Sequence, residues 1–191
     1  MTKHGYVSRG GLKLRHALDE FRIDPAGLTC ADLGASTGGF TDCLLQAGAA
    51  RVFAVDTAYG EFAWKLRNDP RVTLMERTNA LHAAPVERVD LVVLDLGWTP
   101  QRLAIPEAMR WLKPDGRVIT LIKPHYEHKV RGGELPRGGV LEEALAAEIA
   151  RQVTTDLPAL GVRVLGITKS PIAGGAKARG NAEWLALLAR P

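Results

Sequence analysis

Four ionisable residues stand where alternating strands and helices would bring them together. Lys13 lies in an N-terminal helical stretch, Asp95 and Lys123 each follow an apolar run, and Glu183 begins a late one. Taken singly each has an ordinary reading: a solvated helix lysine, a helix cap, a strand-end charge and an edge residue. Taken together they have a chemical use. A charge at the end of a buried strand is costly unless it is paired. A hydroxyl is a poor nucleophile, and a lysine whose pKa is lowered by burial or a neighbouring cation can take its proton. Two acids would orient two lysines and balance the charge of such a site.

A second group lies upstream. Ala31-Asp32-Leu33-Gly34-Ala35-Ser36-Thr37-Gly38-Gly39-Phe40 is a glycine-bearing loop after an apolar run, and Asp56 closes the next run about 20 residues on. Glycine lets backbone approach a ligand and adopt angles closed to other residues. An acid at the place of Asp56 can accept hydrogen bonds from the hydroxyls of a nucleoside ribose. The loop is neither Gly-x-Gly-x-x-Gly nor a Gly-Lys-Ser/Thr phosphate loop. One early glycine with an acid before it suits a nucleoside cofactor carrying an amino-acid tail better than a pyrophosphate. Asp32 would help position the ammonium of a methionine tail, partly through water. A tight turn alone explains one or two of the glycines, but not Asp32, Gly34, Gly38, Gly39 and Asp56 together.

The elements that must position these groups follow from periodicity and breakers. Helical spacing covers 11–21, 39–46, 62–66, 106–112 and 141–153. Apolar runs predict strands at 28–33, 51–55, 72–75, 90–95, 117–122, 162–168 and 182–188, the last two as a hairpin-like pair at one sheet edge. Runs apolar on both faces, alternating with helices, predict an α/β fold: a mostly parallel seven-stranded sheet covered on both sides. Ligands in such sheets bind beyond the carboxyl ends of the strands, where strand order reverses. The Gly- and charge-rich stretch 127–139 reads as a mobile loop beside the site.

A chain of 191 residues suits one domain spanning 1–191, with 1–22 as a substrate-side helix and 28–191 as the core. At 46% hydrophobic and 24% charged residues its composition is that of a globular protein. It is long enough to bury roughly 70% of the surface its unfolded form exposes without a disulfide or a structural metal. Cys30 and Cys43 are too few for a zinc site and read as reduced core residues. No apolar run is long enough to cross a bilayer, and the polar start lacks a signal-peptide core, so a cytoplasmic location is expected. The formal charge is +4. The basic residues cluster as Lys3, Arg9, Lys13 and Arg15; Lys123, Lys129, Arg131 and Arg137; and Lys169, Lys177 and Arg179. Such clusters are either solvated surface or a polyanion-binding face, and RNA is the expected partner.

Several segments carry a family resemblance. Tyr6-Val7-Ser8-Arg9-Gly10-Gly11-Leu12-Lys13-Leu14, the Asp32–Phe40 loop with Thr41-Asp42-Cys43-Leu44, Leu121-Ile122-Lys123-Pro124, and Ser170-Pro171-Ile172 through Gly180-Asn181-Ala182-Glu183 resemble the TlyA (hemolysin A-like) branch of the FtsJ methyltransferases. The resemblance runs in order along nearly the whole chain. It implies a Rossmann-like methyltransferase fold, S-adenosylmethionine as cofactor, and methylation of ribose 2′-hydroxyls in ribosomal RNA. It also implies that Lys13, Asp95, Lys123 and Glu183 form the catalytic tetrad, with Lys123 as base. The cofactor set is then Asp32, Gly34, Ser36, Gly38, Gly39, Phe40, Asp56, Asn79 and Asp95, with Glu76-Arg77-Thr78-Asn79 near the adenosine; no metal is expected.

This sequence departs from that family in two ways. Family members carry an N-terminal RNA-binding domain, whereas this sequence starts at the methyltransferase, so RNA contact is expected from the basic clusters or a separate partner. After Asp95 the family has Ser-Phe, whereas Leu96-Gly97-Trp98-Thr99-Pro100 stands here. Trp98 is either a base-stacking residue or a core aromatic. Two other functions remain open: methylation of a small acceptor, and RNA-associated cofactor binding without catalysis.

Overall fold

A computed structural model describes residues 5–174 and 180–191. Seven strands form one sheet: β1 (Thr29–Leu33), β2 (Arg51–Val55), β3 (Val72–Met75), β4 (Val89–Leu94), β5 (Leu112–Ile122), β6 (Arg163–Lys169) and β7 (Trp184–Ala189). Their order is β3-β2-β1-β4-β5-β7-β6. The first five run parallel, and β7 enters antiparallel between β5 and β6. This is the mostly parallel α/β sheet that the sequence predicts, with one antiparallel strand inserted near its edge. The expected late hairpin-like pair therefore exists, and its second strand pairs with β5.

Among the described residues six α-helices flank the sheet: α1 (Gly10–Phe21), α2 (Gly39–Gln46), α3 (Trp64–Arg67), α4 (Gln101–Trp111), α5 (Pro124–Val130) and α6 (Glu143–Asp156). Successive strand residues point to opposite faces, so each apolar strand serves two cores. On one face Phe53, Val92, Val118 and Leu188 pack with Ile105 and Trp111 of α4 and Ile149 and Val153 of α6. On the other, Val52, Leu91, Ile119 and Leu187 pack with Leu14 and Leu18 of α1 and Phe40 and Leu44 of α2. Fully burying a leucine such as Leu14 or Leu18 contributes about 2 to 3 kcal/mol.

Several boundaries differ from the sequence reading; β5, for one, begins at Leu112 rather than Arg117. Helix α4 begins at Gln101, not Pro106: Pro106 sits in its second turn, where it forgoes the hydrogen bond to the Arg102 carbonyl without ending the helix. The expected loop at 127–139 begins as helix: α5 runs to Val130, with Pro124 at its first turn, where a missing N–H does no harm. The Gly- and Arg-rich composition of 131–139 hid that short helix. Cys30 and Cys43 are buried thiols, each pushed up to about 12, chiefly by burial. Among the described residues no helix is long and apolar enough to cross a membrane.

Candidate active site

Strand order reverses between β1 and β4, and there the structure opens a cavity of about 910 Å³. Seven of the sequence-predicted cofactor residues line it: Gly34, Ser36, Gly39, Phe40, Asp56, Asn79 and Asp95. Lys13, Asp95 and Lys123 share the same wall space. Asp32, Gly38 and Glu183 stand behind the lining.

The glycines serve packing as much as ligand approach. A Cβ on Gly34 (φ +96°) would come within 2.7 Å of the Asp95 carbonyl oxygen, so this glycine lets the end of β4 close on the β1 loop. A Cβ on Gly38 (φ +98°) would meet Leu66 and Phe62, and one on Gly39 would meet Ser8 and the Gly11 nitrogen. Gly39 therefore allows the N-terminal segment to reach α2. That segment is pinned by the Val7 N–H donating to Asp42 Oδ2 at 2.7 Å, and Tyr6 packs its ring over Gly11. Ser8, Arg9 and Gly10 thereby become cavity wall, a placement that no spacing in the sequence signalled.

Asp56 accepts from the Ser36 N–H through Oδ2 and from the Ala58 N–H through Oδ1, both at 2.7 Å. These bonds fix the carboxylate at the cavity wall with lone pairs to spare. Asp32 is fully buried. Its Oδ2 accepts from the Thr41 N–H (2.9 Å) and hydroxyl (2.7 Å), while Oδ1 has no partner among the described residues. Burial is the main cause that pushes its carboxyl up to about 7. Buried polar atoms are seldom left unpaired, so the orphaned Oδ1 fits a site that awaits a donor.

The four ionisable residues form two pairs. Lys13 Nζ, from α1, donates to Glu183 Oε2 at 2.6 Å, with both side chains buried. Lys123 Nζ lies 2.5 Å from Asp95 Oδ1 and also donates to the Leu96 carbonyl at 3.2 Å. The expectation of a lysine with a lowered pKa is corrected here. Burial does press the Lys123 ammonium toward neutrality, but Asp95 and Glu183 more than offset it and hold its pKa above the usual lysine value. Glu183 is raised, chiefly by burial, against the opposing charge of Lys13. His125, beside both ammonium groups, is pushed down to about 4 by burial and by Lys123 and Lys13, and is neutral.

Trp98 is not a core residue: it is 66% exposed on the cavity rim. Its ring stacks on Tyr126 with centroids 4.3 Å apart, and Lys129 Nζ lies 5.4 Å from the Trp98 centroid. Tyr126 and Lys129 follow Lys123 at helical spacing, which could have been read had the short α5 been recognised. Of the basic clusters, Lys13 and Lys123 face the cavity in ion pairs, while Arg15, Arg131 and Lys169 pair with Asp19, Asp156 and Glu143. Lys3, Lys177 and Arg179 lie outside the described residues.

A nucleoside-sized cavity beside one buried and one half-buried Lys–carboxylate pair suits group transfer to a hydroxyl, and the family comparison agrees. The model described as FtsJ-like methyltransferase matches residues 6–187. The chain belongs to the FtsJ-like methyltransferase family. It is 42% identical over 187 residues to the Mycobacterium tuberculosis protein named 16S/23S rRNA (cytidine-2′-O)-methyltransferase TlyA, covering 96% of this chain and 68% of that one. Hemolysin A of Brachyspira hyodysenteriae is 37% identical, with 95% and 75% covered. A solved Streptococcus thermophilus structure carrying a hemolysin name superposes with a TM-score of 0.89 at 37% identity, covering 98% of this chain and 68% of that one. The resemblance read from the sequence motifs is thus borne out, and the cavity belongs to a methyltransferase.

Proposed function

We propose that the chain transfers the methyl group of S-adenosylmethionine to a ribose 2′-hydroxyl of ribosomal RNA in the cytoplasm. The observation that carries the proposal is the gathering of Lys13, Asp95, Lys123 and Glu183 at one cavity, on elements far apart in sequence. The relatives' rRNA methyltransferase names support the choice of acceptor.

The residues present fit the cofactor. Asp56 would hold its ribose hydroxyls, with Asn79 toward the base. The first N–H groups of α2, next to Gly39 and Phe40, would receive its carboxylate. The unpartnered Oδ1 of Asp32 answers to its ammonium through water. When bound, the cofactor supplies an electrophilic methyl group.

The remaining chemistry is that of this chain. Asp95 and the Leu96 carbonyl orient Lys123, and Glu183 anchors Lys13. Lys123 takes the proton of the acceptor hydroxyl, for which it must first shed its own. Lys13 stabilises negative charge growing on the acceptor oxygen. Trp98, backed by Tyr126 and Lys129, offers a surface on which the acceptor base stacks. In this reading residues 1–191 act as one methyltransferase domain, with α1 on the substrate side. RNA affinity arises at the cavity rim, with or without a separate RNA-binding partner.

The test is incubation with labelled S-adenosylmethionine and total ribosomal RNA, intact subunits, and a small-molecule extract. Label in RNA that survives alkaline hydrolysis at the modified linkage is expected. Label confined to the small-molecule fraction would overturn the RNA acceptor.

A further inference from the structure

Across the sheet's carboxyl edge from Trp98, two aromatic side chains stand in solvent. Tyr59 is 67% exposed and Trp64 75%. Neither lines the cavity. The Arg77 guanidinium lies over the Tyr59 ring, 4.2 Å from its centroid.

The scaffold beneath them is braced. Glu76 accepts the Gly60 N–H at 2.7 Å and grips the Arg67 guanidinium with both carboxylate oxygens, at 2.9 and 2.6 Å. That one carboxylate joins the loop after β2, helix α3 (which Trp64 begins) and the turn after β3. Arg77 itself holds a left-handed backbone, φ +52°, a conformation that costs a non-glycine residue about 1 to 2 kcal/mol. It is kept there by its N–H donating to the Ala58 carbonyl and by the Thr78 N–H donating to the Asp56 carbonyl. Strain of this kind collects at functional positions. Here it sets a cation on an exposed ring beside the cofactor cavity.

We propose that Tyr59 and Arg77, together with Trp64, form a second RNA-stacking surface, which takes an unpaired nucleotide flanking the acceptor. The inference rests on the RNA reading above and adds where the strand runs. Unpaired bases stack on aromatic rings and on guanidinium planes, and an arginine adds attraction for the phosphate backbone. Glu76 brings no net repulsion, since Arg67 neutralises it; Glu61 is the nearby acid in the loop. Tyr59 and Arg77 follow β2 and β3, whereas Trp98 and Tyr126 follow β4 and β5. Three strand spacings separate the two surfaces, roughly 14 Å. A few nucleotides of single strand cover that span, and its path crosses the mouth of the cavity.

Binding of a labelled single-stranded oligoribonucleotide and of transcribed large-subunit rRNA would be measured for the whole chain, with cofactor affinity followed by calorimetry. Tyr59→Ala is expected to weaken RNA binding about 5- to 100-fold, and Tyr59→Phe to leave it near wild type. Arg77→Gly, which suits the left-handed backbone, is expected to flatten the salt dependence by about one counterion. Cofactor affinity should stay unchanged in Tyr59→Ala and Tyr59→Phe, which shows that they fold. RNA binding and methylation at wild-type levels in both Tyr59→Ala and Trp64→Ala would overturn this inference alone, including the case where the patch holds a protein instead. Failure of the wild type to bind or methylate any RNA would overturn the RNA reading and this inference with it.

Discussion

Lys123 and Asp95 close neighbouring strands, and their Nζ and Oδ1 atoms lie 2.5 Å apart. The pair sets the protonation state of the site. Burial favours the neutral amine, but the nearby carboxylate holds the ammonium form, so Lys123 rests protonated.

The rate should therefore climb with pH. Below the Lys123 pKa the amine fraction grows about tenfold per pH unit, so log kcat should rise with a slope near +1. Asp95 raises that pKa, so Asp95→Asn should move the rising limb to lower pH while lowering its plateau. Single-turnover rates across pH check this; a flat profile would remove Lys123 from the role of base.

Lys123→Ala should lower kcat by about 100- to 10,000-fold, the range for loss of a positioned acid or base. Cofactor affinity should change little, because Lys123 reaches Asp95 and Leu96 rather than the Asp56 side of the cavity. Calorimetry beside the methylation assay separates the two effects.

Asp56→Ala should weaken S-adenosylmethionine binding about 10- to 100-fold, since hydrogen bonds to a charged acceptor contribute about 1.5 to 3 kcal/mol. Part of the loss will come from the Ser36 and Ala58 turns, which lean on the same carboxylate. Asp56→Asn should therefore retain an intermediate affinity by calorimetry.

Breaking the buried Lys13–Glu183 pair should cost stability whichever partner is removed. Lys13→Met or Glu183→Gln should each cost about 3 to 5 kcal/mol by leaving its partner's charge buried. The double variant should cost less than the sum of the two. Urea unfolding of the four proteins gives the coupling directly.

Asp32 adds a pH dependence of stability. Its folded pKa of about 7 lies above the unfolded value, so between those values the folded state binds more protons and stability falls as pH rises. The loss should amount to about 3 kcal/mol between pH 4 and pH 7. Asp32→Asn should flatten this slope in thermal melts.

The strand and helix pattern was largely legible in the sequence because this sheet is buried on both faces. Runs such as Leu91–Leu94 and Val118–Ile122 have no other environment that suits them. Asp32, Asp56, Asp95 and Lys123 were legible for a related reason. They follow such runs or stand within them, and the carboxyl ends of parallel strands converge on one crevice. Helix α5 was missed because Gly and Arg after Val130 blurred so short an element.

The chain's residue order by itself determined the parallel sheet, the glycine loop and the identity of the four ionisable residues, since each is written locally in periodicity and residue type. Only the tertiary structure decided how those four pair, and it raised the Lys123 pKa rather than lowering it, because electrostatics depends on distance and burial. It decided too that Gly34 serves the approach of Asp95, that Trp98 stands in solvent against Tyr126, and that Arg77 lies over the Tyr59 ring. Those contacts join residues from different strand ends, and no local pattern encodes which ends will meet.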